Sequence, residues 1–288
     1  MYFCQLHCII FLDMNNAETL RLDIEKTIKR KAPGAGAKIP GFVYRFLSRL
    51  ICQDRMNDLL SKKGHLKGVD FASGALDEMN VKVVMEGEHN IPADGKFIFA
   101  SNHPLGGLDG MALVKLFGEK FDHKIRFVVN DILMNIKCLA TVFVPINKHG
   151  AQGKATASLI NEAFESDNQV LIFPAGLCSR LQGGKIRDLE WKKAVIAKSV
   201  EYQRDVIPVF FEGRNSRFFY LFAYLRKALG IKANIEMIFL PGEMYKNNNK
   251  TFVVRVGEPI PWSTFDKSRS QKQWAEYLKN KVYDLQQR

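Results

Sequence analysis

The chain has 288 residues, 47% of them hydrophobic, and Lys plus Arg outnumber Asp plus Glu by 42 to 30, a net charge of +12. That length supports one or two domains with a real core, and the charge suits an anionic partner such as a membrane surface, a phosphorylated or acyl-carrier substrate, or nucleic acid. No run reaches the ~18 apolar residues of a transmembrane helix, and the absence of zinc-finger, RNA-binding or basic-zipper signatures ranks nucleic acid last.

The five cysteines (Cys4, Cys8, Cys52, Cys138 and Cys178) are odd in number and irregularly spaced. They argue against a disulfide framework and for a reducing compartment. Cys4, His7 and Cys8 are spaced like metal ligands, but no second cluster completes a site, so no metal is expected.

Residues 1–12 are apolar but lack a basic start and a small-residue cleavage site, which makes a poor signal peptide. Met14, followed by Asn15-Asn16-Ala17-Glu18, is the expected translation start, with 1–13 an upstream extension. Over 16–31, Leu20, Ile24 and Ile28 recur at helical spacing until Pro33-Gly34 stops the pattern. Residues 38–50 place Phe42, Val43, Phe46, Leu47 and Leu50 on one side, with Lys38, Arg45 and Arg49 elsewhere. Such a basic amphipathic helix either lies on a membrane or packs on a core. Helical patterns continue to 79, so 14–79 reads as a helical N-terminal region.

Beyond residue 80 the pattern changes to short apolar runs at 81–85, 96–100, 125–129, 142–146, 170–173, 206–211 and 252–256. Helical patterns at 108–118, 154–165 and 189–201 separate them. This alternation predicts an α/β domain over 80–288, whose functional groups gather in the turns leaving the strands. A further stretch, 218–229, holds Phe218, Phe219, Tyr220, Phe222 and Tyr224, followed by Arg226 and Lys227. Aromatics so arranged suit a lipid–water boundary; a buried helix is the competing reading.

The richest turn is Ser101-Asn102-His103-Pro104-Leu105-Gly106-Gly107-Leu108-Asp109-Gly110, between a predicted strand and a predicted helix. Histidine takes a proton near neutral pH, and a carboxylate fixes its tautomer and stabilises its charged form. His103 and Asp109 therefore fit a general base and its orienter, and equally a surface histidine beside a helix N-cap aspartate. Gly106, Gly107 and Gly110 permit unusual backbone angles and close substrate approach. Later strands lead into Asn147-Lys148, into Pro174-Ala175-Gly176-Leu177-Cys178-Ser179-Arg180, and into Pro208 through Arg214.

In this order the turns resemble the four blocks of the glycerolipid acyltransferase superfamily, that of the lysophosphatidic acid acyltransferases. Those blocks are Asn-His-x4-Asp, a strand ending in Asp-Arg, a Phe-Pro-Glu-Gly turn and a Val-Ile-Pro-Val strand. The form Asn-His-Pro-x-Gly-x-x-Asp-Gly is closer still to a bacterial, hemolysin-like or lysophospholipid acyltransferase-like branch. The resemblance implies a mixed sheet flanked by helices with a helical N-terminal appendage. It also implies transfer of an acyl group to a lysolipid hydroxyl.

The departures are specific. Five residues separate His103 from Asp109, Ala175 replaces the third-block Glu, Cys178 stands where an Arg is usual, and Asn147-Lys148 replaces Asp-Arg. In the wider family the second-block Arg and the third-block turn are associated with binding glycerol phosphate. A mono-acylated amino acid thus joins lysophosphatidic acid as an acceptor.

The expected catalytic residues are His103 and Asp109, and the expected substrate contacts are Asn102, Gly106, Gly107, Lys148, Gly176 and Arg180. Lys148 and Arg180 are assigned to anions, and Gly176 to a turn whose backbone N–H groups face the acceptor or the developing oxyanion. Arg214 is a further anion candidate. The donor is an acyl carrier protein or coenzyme A thioester, no other cofactor is required, and the expected location is peripheral, on the cytoplasmic face of an anionic membrane. The alternatives are a thiol hydrolase built on Cys178, and a catalytically inactive membrane-binding relative.

Overall fold

The computed structural model describes residues 21–146 and 153–287. The expected start at Met14, the extension 1–13 and the Cys4, His7 and Cys8 group lie outside the described residues. So do Asn147 and Lys148.

The first described helix, α1 (Ile24–Lys31), covers the later part of the pattern expected over 16–31; residues 21–23 are not helical, and 16–20 lie outside the described residues. The backbone of Leu22 is pinned to Asn57, donating to Oδ1 at 2.7 Å and accepting from Nδ2 at 2.9 Å. Asp23 then caps the helix, its carboxylate accepting from the Lys26 N–H at 2.9 Å. After a single helical turn at Pro33–Gly36 come α2 (Gly41–Leu50), α3 (Gln53–Lys63) and α4 (Gly68–Glu78). The α2 helix packs on the core by one side only. Tyr44 is buried with Leu22, Ile24, Ile28 and Ile51, whereas Phe42 and Phe46 stay more than half exposed.

Seven strands form one mixed sheet: β1 (Lys82–Glu86), β2 (Phe97–Ser101), β3 (Ile125–Asn130), β4 (Phe143–Ile146), β5 (Gln169–Ile172), β8 (Asp205–Phe211) and β9 (Thr251–Val256). Between β5 and β8 lies a small antiparallel hairpin, β6 (Arg180–Gln182) and β7 (Lys185–Arg187), turning through Gly183 and Gly184 at positive φ. The sheet order is β1-β9-β8-β2-β5-β3-β4, with every pair parallel except β8–β9. The remaining helices are α5 (Leu108–Lys120), α6 (Gly153–Glu165), α7 (Ala194–Tyr202), α8 (Arg217–Ala228), α9 (Leu240–Tyr245) and α10 (Gln271–Asp284).

Central β2 is buried on both faces, as a parallel strand covered by helices must be. Phe97 and Phe99 point into a core shared with α3, α4 and α5, while Ile98 and Ala100 point into a second core shared with α6, α7 and α10. Phe99, Phe117, Phe127 and Phe211 are all but inaccessible to solvent, and each contributes about 1.5–3 kcal/mol of apolar burial. Pro208 sits inside β8, where a central strand seldom admits proline. It is tolerated because β9 pairs only with Val209–Phe211, and Gly257 clears the ring. A Cβ at Gly257 would lie 2.9 Å from the Pro208 Cγ. The helix expected over 189–201 starts instead at Ala194, since Trp191 is buried and the Lys192 N–H donates to the Pro174 carbonyl at 2.9 Å.

Candidate active site

The first-block turn leaves the central strand β2 and enters α5, so its side chains lie at the carboxyl edge of the parallel strands. Asn102 is the first to be fixed. Its Nδ2 donates to the Phe211 carbonyl at 3.0 Å and its Oδ1 accepts from the Phe211 N–H at 2.7 Å. Both ends of the buried amide are thus spent on clamping the exit of β2 to that of β8. This corrects the expectation that Asn102 touches substrate: it builds the turn from beneath.

Asp109 lies in the first turn of α5 with no exposed surface. Its Oδ2 accepts from the backbone N–H of Leu105 at 2.8 Å and of Gly106 at 3.3 Å, and its Oδ1 from that of Gly110 at 2.9 Å. The carboxylate therefore folds the turn around itself, aided by the helix N-terminus, which favours negative charge. Its remaining contact is His103, whose Nδ1 lies 2.9 Å from Asp109 Oδ2. An ionised Asp109 makes Nδ1 the protonated nitrogen, leaving Nε2 with a free lone pair. The His103 side chain is 13% exposed, and its ring stacks on Phe173 at 3.9 Å and 17°. The surface-histidine reading fails on this geometry, because the aspartate is buried and oriented at the imidazole.

Gly106 has φ +88°, and a Cβ there would lie 2.7 Å from Leu240 Cδ1, so no other residue fits without strain. Gly107 differs: it is exposed, with open space where a Cβ would stand, and forms the rim beside His103.

The third-block turn lies against His103 through Phe173 and through Ser179, whose N–H donates to the His103 carbonyl at 2.7 Å. Gly176 is exposed at φ +67°, but its own N–H donates to the Phe173 carbonyl at 3.0 Å. Gly176 shapes the turn, and its N–H is not free for an oxyanion. Arg180 also departs from expectation. Its side chain turns inward, donating to the carbonyl of Cys178 at 2.5 Å and to Glu236 Oε1 at 2.7 Å, with Phe219 beneath it. Glu236 is fully buried and lies 2.7 Å from Arg226 as well. Arg180 is thus a structural cation whose charge is answered from within.

Cys178 is wholly buried beside Met237 and Arg180. Burial pushes its thiol up to about 11, away from the thiolate that a nucleophile requires. The thiol-hydrolase alternative fails because Cys178 has no exposed surface and contacts Met237 and Arg180 instead of His103. Glu212 pairs with Arg255 at 2.9 Å, whereas exposed Arg214 has no ion-pair partner among the described residues. No group of three or more metal-ligating side chains occurs among the described residues.

The aromatic stretch forms α8, capped by Ser216, which donates to Glu243 through both its N–H (2.6 Å) and its hydroxyl (2.7 Å). Phe219, Tyr220 and Ala223 are buried, and Phe218, Leu221, Tyr224 and Leu225 are at least half exposed. The helix therefore combines a core face with an outward apolar face. Asn215, just before it, donates to the Pro104 carbonyl at 3.2 Å and fastens α8 next to His103.

Four groups in this assembly escaped sequence reasoning: Phe173, Ser179, Asp188 and Glu236. The first belongs to a quoted motif but reads as the end of a strand. Ser179 lies in the third-block turn with no role assigned from sequence, and Asp188 and Glu236 are isolated acidic residues whose partners lie far along the chain.

Residues 26–288 match the family model described as Acyltransferase. The chain belongs to this acyltransferase family. It is also 48% identical over 272 residues to the lyso-glycine lipid O-acyltransferase of Bacteroides thetaiotaomicron, covering 94% of this chain and 100% of that one. A protein of the same description from Phocaeicola vulgatus is 47% identical over 272 residues, covering 94% and 98%. Among solved structures, the acyltransferase resembles the 1-acyl-sn-glycerophosphate (LPA) acyltransferase of Thermotoga maritima at 18% identity and a TM-score of 0.44, covering 84% of this chain and 96% of that one. The protein is an enzyme, an acyltransferase, and the inactive-relative alternative is set aside.

Proposed function

We propose that this acyltransferase moves a fatty acyl group from a thioester donor to the hydroxyl of a lysolipid, with His103 as general base. The observation that carries the chemistry is the buried Asp109 carboxylate at 2.9 Å from His103 Nδ1. Nε2 takes the acceptor's hydroxyl proton as the oxygen attacks the thioester carbonyl. The tetrahedral intermediate collapses with cleavage of the C–S bond, and the imidazolium returns the proton to the departing thiolate. Asp109 keeps Nδ1 protonated and stabilises the transient imidazolium. No protein nucleophile is required, because the thioester is already activated.

The acceptor we favour is a mono-acylated glycine bearing a free hydroxyl. Its support is the likeness to the two lyso-glycine lipid O-acyltransferases, together with the inward turn of Arg180, which removes a guanidinium that would suit a phosphate. The net charge of +12 favours an acidic acyl carrier protein as donor, with coenzyme A meeting the same argument. No helix among the described residues is long and apolar enough to cross a membrane. We place the enzyme peripherally on the cytoplasmic face, docked on anionic lipid through the outward face of α8 and the basic, Phe-bearing α2.

The test is acyl transfer by purified protein from a labelled acyl-carrier donor to two competing acceptors, lysophosphatidic acid and a mono-acylated glycine with a free hydroxyl. Label in the glycine lipid is expected, and His103→Ala should lower turnover by on the order of 10²–10⁴-fold. Label confined to phosphatidic acid overturns the acceptor, and full activity in His103→Ala overturns the base. Sedimentation with anionic vesicles should weaken as salt rises; failure to bind such vesicles at low salt would remove the docking proposal.

A further inference from the structure

The main chain of His103 is held as firmly as its ring, and by a different carboxylate. Asp188 follows β7 and is fully buried. Its Oδ1 accepts from the His103 N–H at 3.2 Å and from the Ser179 hydroxyl at 2.6 Å, and its Oδ2 from the Trp191 indole N–H at 2.9 Å. Ser179 closes the ring of contacts by donating its own N–H to the His103 carbonyl at 2.7 Å. From the far side, the Asp188 N–H donates to the Tyr283 hydroxyl of α10 at 2.7 Å. Both peptide groups of His103 are thus captured by the Ser179–Asp188 pair.

A general base works only when its lone pair lies within about 2.6–3.2 Å of the proton it takes. A displacement of about 1 Å is enough to lose ~10²-fold in rate. The His103 ring has two fixed points, Asp109 at Nδ1 and Phe173 on its face. Neither prevents the whole residue from sliding with its backbone. The turn is rich in glycine, with Gly106 at positive φ; Phe211 holds Asn102 and Asn215 holds Pro104 on either side, but neither grips the His103 peptide N–H itself. Asp188 does so from a segment 85 residues further along the chain. Burial raises the proton affinity of Asp188, and the hydrogen bonds from Ser179, Trp191 and His103 act in the opposite direction, each favouring the ionised form.

We propose that Asp188 is a positioning residue for acyl transfer, holding His103 in register with the third-block turn through the His103 N–H and through Ser179. This rests on His103 being the general base. Asp188 touches neither substrate nor reacting atom, so its removal should act on kcat and leave substrate affinity alone.

The experiment measures kcat, the KM of both substrates and the melting temperature for Asp188→Ala, Asp188→Asn and Ser179→Ala, with His103→Ala alongside. In Asp188→Ala, kcat should fall about 10²-fold while each KM stays within about twofold. Asp188→Asn keeps an oxygen that accepts from both His103 and Ser179, and sets its amide against the Trp191 N–H. It should therefore recover roughly tenfold of the lost kcat while melting lower than wild type. A purely structural role predicts the reverse link, with kcat following stability. Ser179→Ala retains its backbone bond to His103 and should lose about threefold to tenfold in kcat. If Asp188→Ala does not fold, the other two variants decide the matter. Wild-type kcat in Ser179→Ala, or equal kcat in the Ala and Asn variants of Asp188, overturns the proposal. An active His103→Ala overturns the base assignment instead, so the two failures are distinguishable.

Discussion

Replacing Asp109 by Asn separates the charge of the carboxylate from its shape. At the Oδ2 position three donors converge: His103 Nδ1, the Leu105 N–H and the Gly106 N–H. At the Oδ1 position there is only the Gly110 N–H. An asparagine will therefore place its single oxygen at the crowded side and its NH2 against Gly110. The histidine tautomer survives, and what disappears is the negative charge that stabilises the imidazolium. At a charge separation of about 4 Å and an effective dielectric constant near 20, that interaction is worth up to ~4 kcal/mol, equivalent to about 10³-fold in rate. The buried donor–donor contact at Gly110 should also cost about 1–3 kcal/mol of stability. The assay is initial-rate release of the donor thiol at saturating acceptor, alongside a thermal melt. A folded Asp109→Asn variant with kcat within about tenfold of wild type would refute the assigned role.

Gly106→Ala should lower stability by roughly 1–3 kcal/mol through positive φ and collision with Leu240, whereas Gly107→Ala, facing open space, should melt like wild type. Arg180→Met should cost up to about 3–5 kcal/mol in denaturant unfolding, because it leaves buried Glu236 with Arg226 alone. An unchanged unfolding midpoint, coupled with weaker acceptor binding, would return Arg180 to the substrate. Cys178 should resist alkylation in the native enzyme near neutral pH, given burial and a thiol pushed up to about 11, and Cys178→Ser should keep its activity. Mass-spectrometric mapping of the alkylated thiol, compared with the loss of turnover, checks this.

The strand runs and the His103–Asp109 turn were legible because both depend on local pattern: apolar runs of the right length, glycines where the chain turns, and two reactive groups six positions apart. The break before Ile24 and the boundary at Ala194 were not, since each is set by a distant partner, Asn57 for Leu22 and Pro174 for Lys192. The same reason explains the misreading of three contact residues. Asn102 is read as a ligand until Phe211, 109 residues away, consumes its amide. Arg180 looks like a free cation until Glu236 arrives from 56 residues on. Gly176 reads as an oxyanion donor because sequence shows that a glycine turns there, and does not show which carbonyl its N–H will meet. The β6–β7 hairpin left only a local trace, Gly183-Gly184, because strands of three residues are too short to show a periodic pattern.

The sheet order has a bearing on how the protein is made. β1 takes its register from β9, with Lys82 opposite Thr251, so the edge strand nearest the N-terminal helices has no neighbour until nearly the whole chain has left the ribosome. The catalytic turn matures late too, since Asn102 must wait for Phe211 and His103 for Asp188. Chains truncated before β8 would lack the contacts that shape the turn. A nascent chain with an exposed apolar strand edge is prone to associate with other chains, and here that interval lasts for most of translation. Inactivity of C-terminally shortened products follows from where the last two strands of the sheet are inserted.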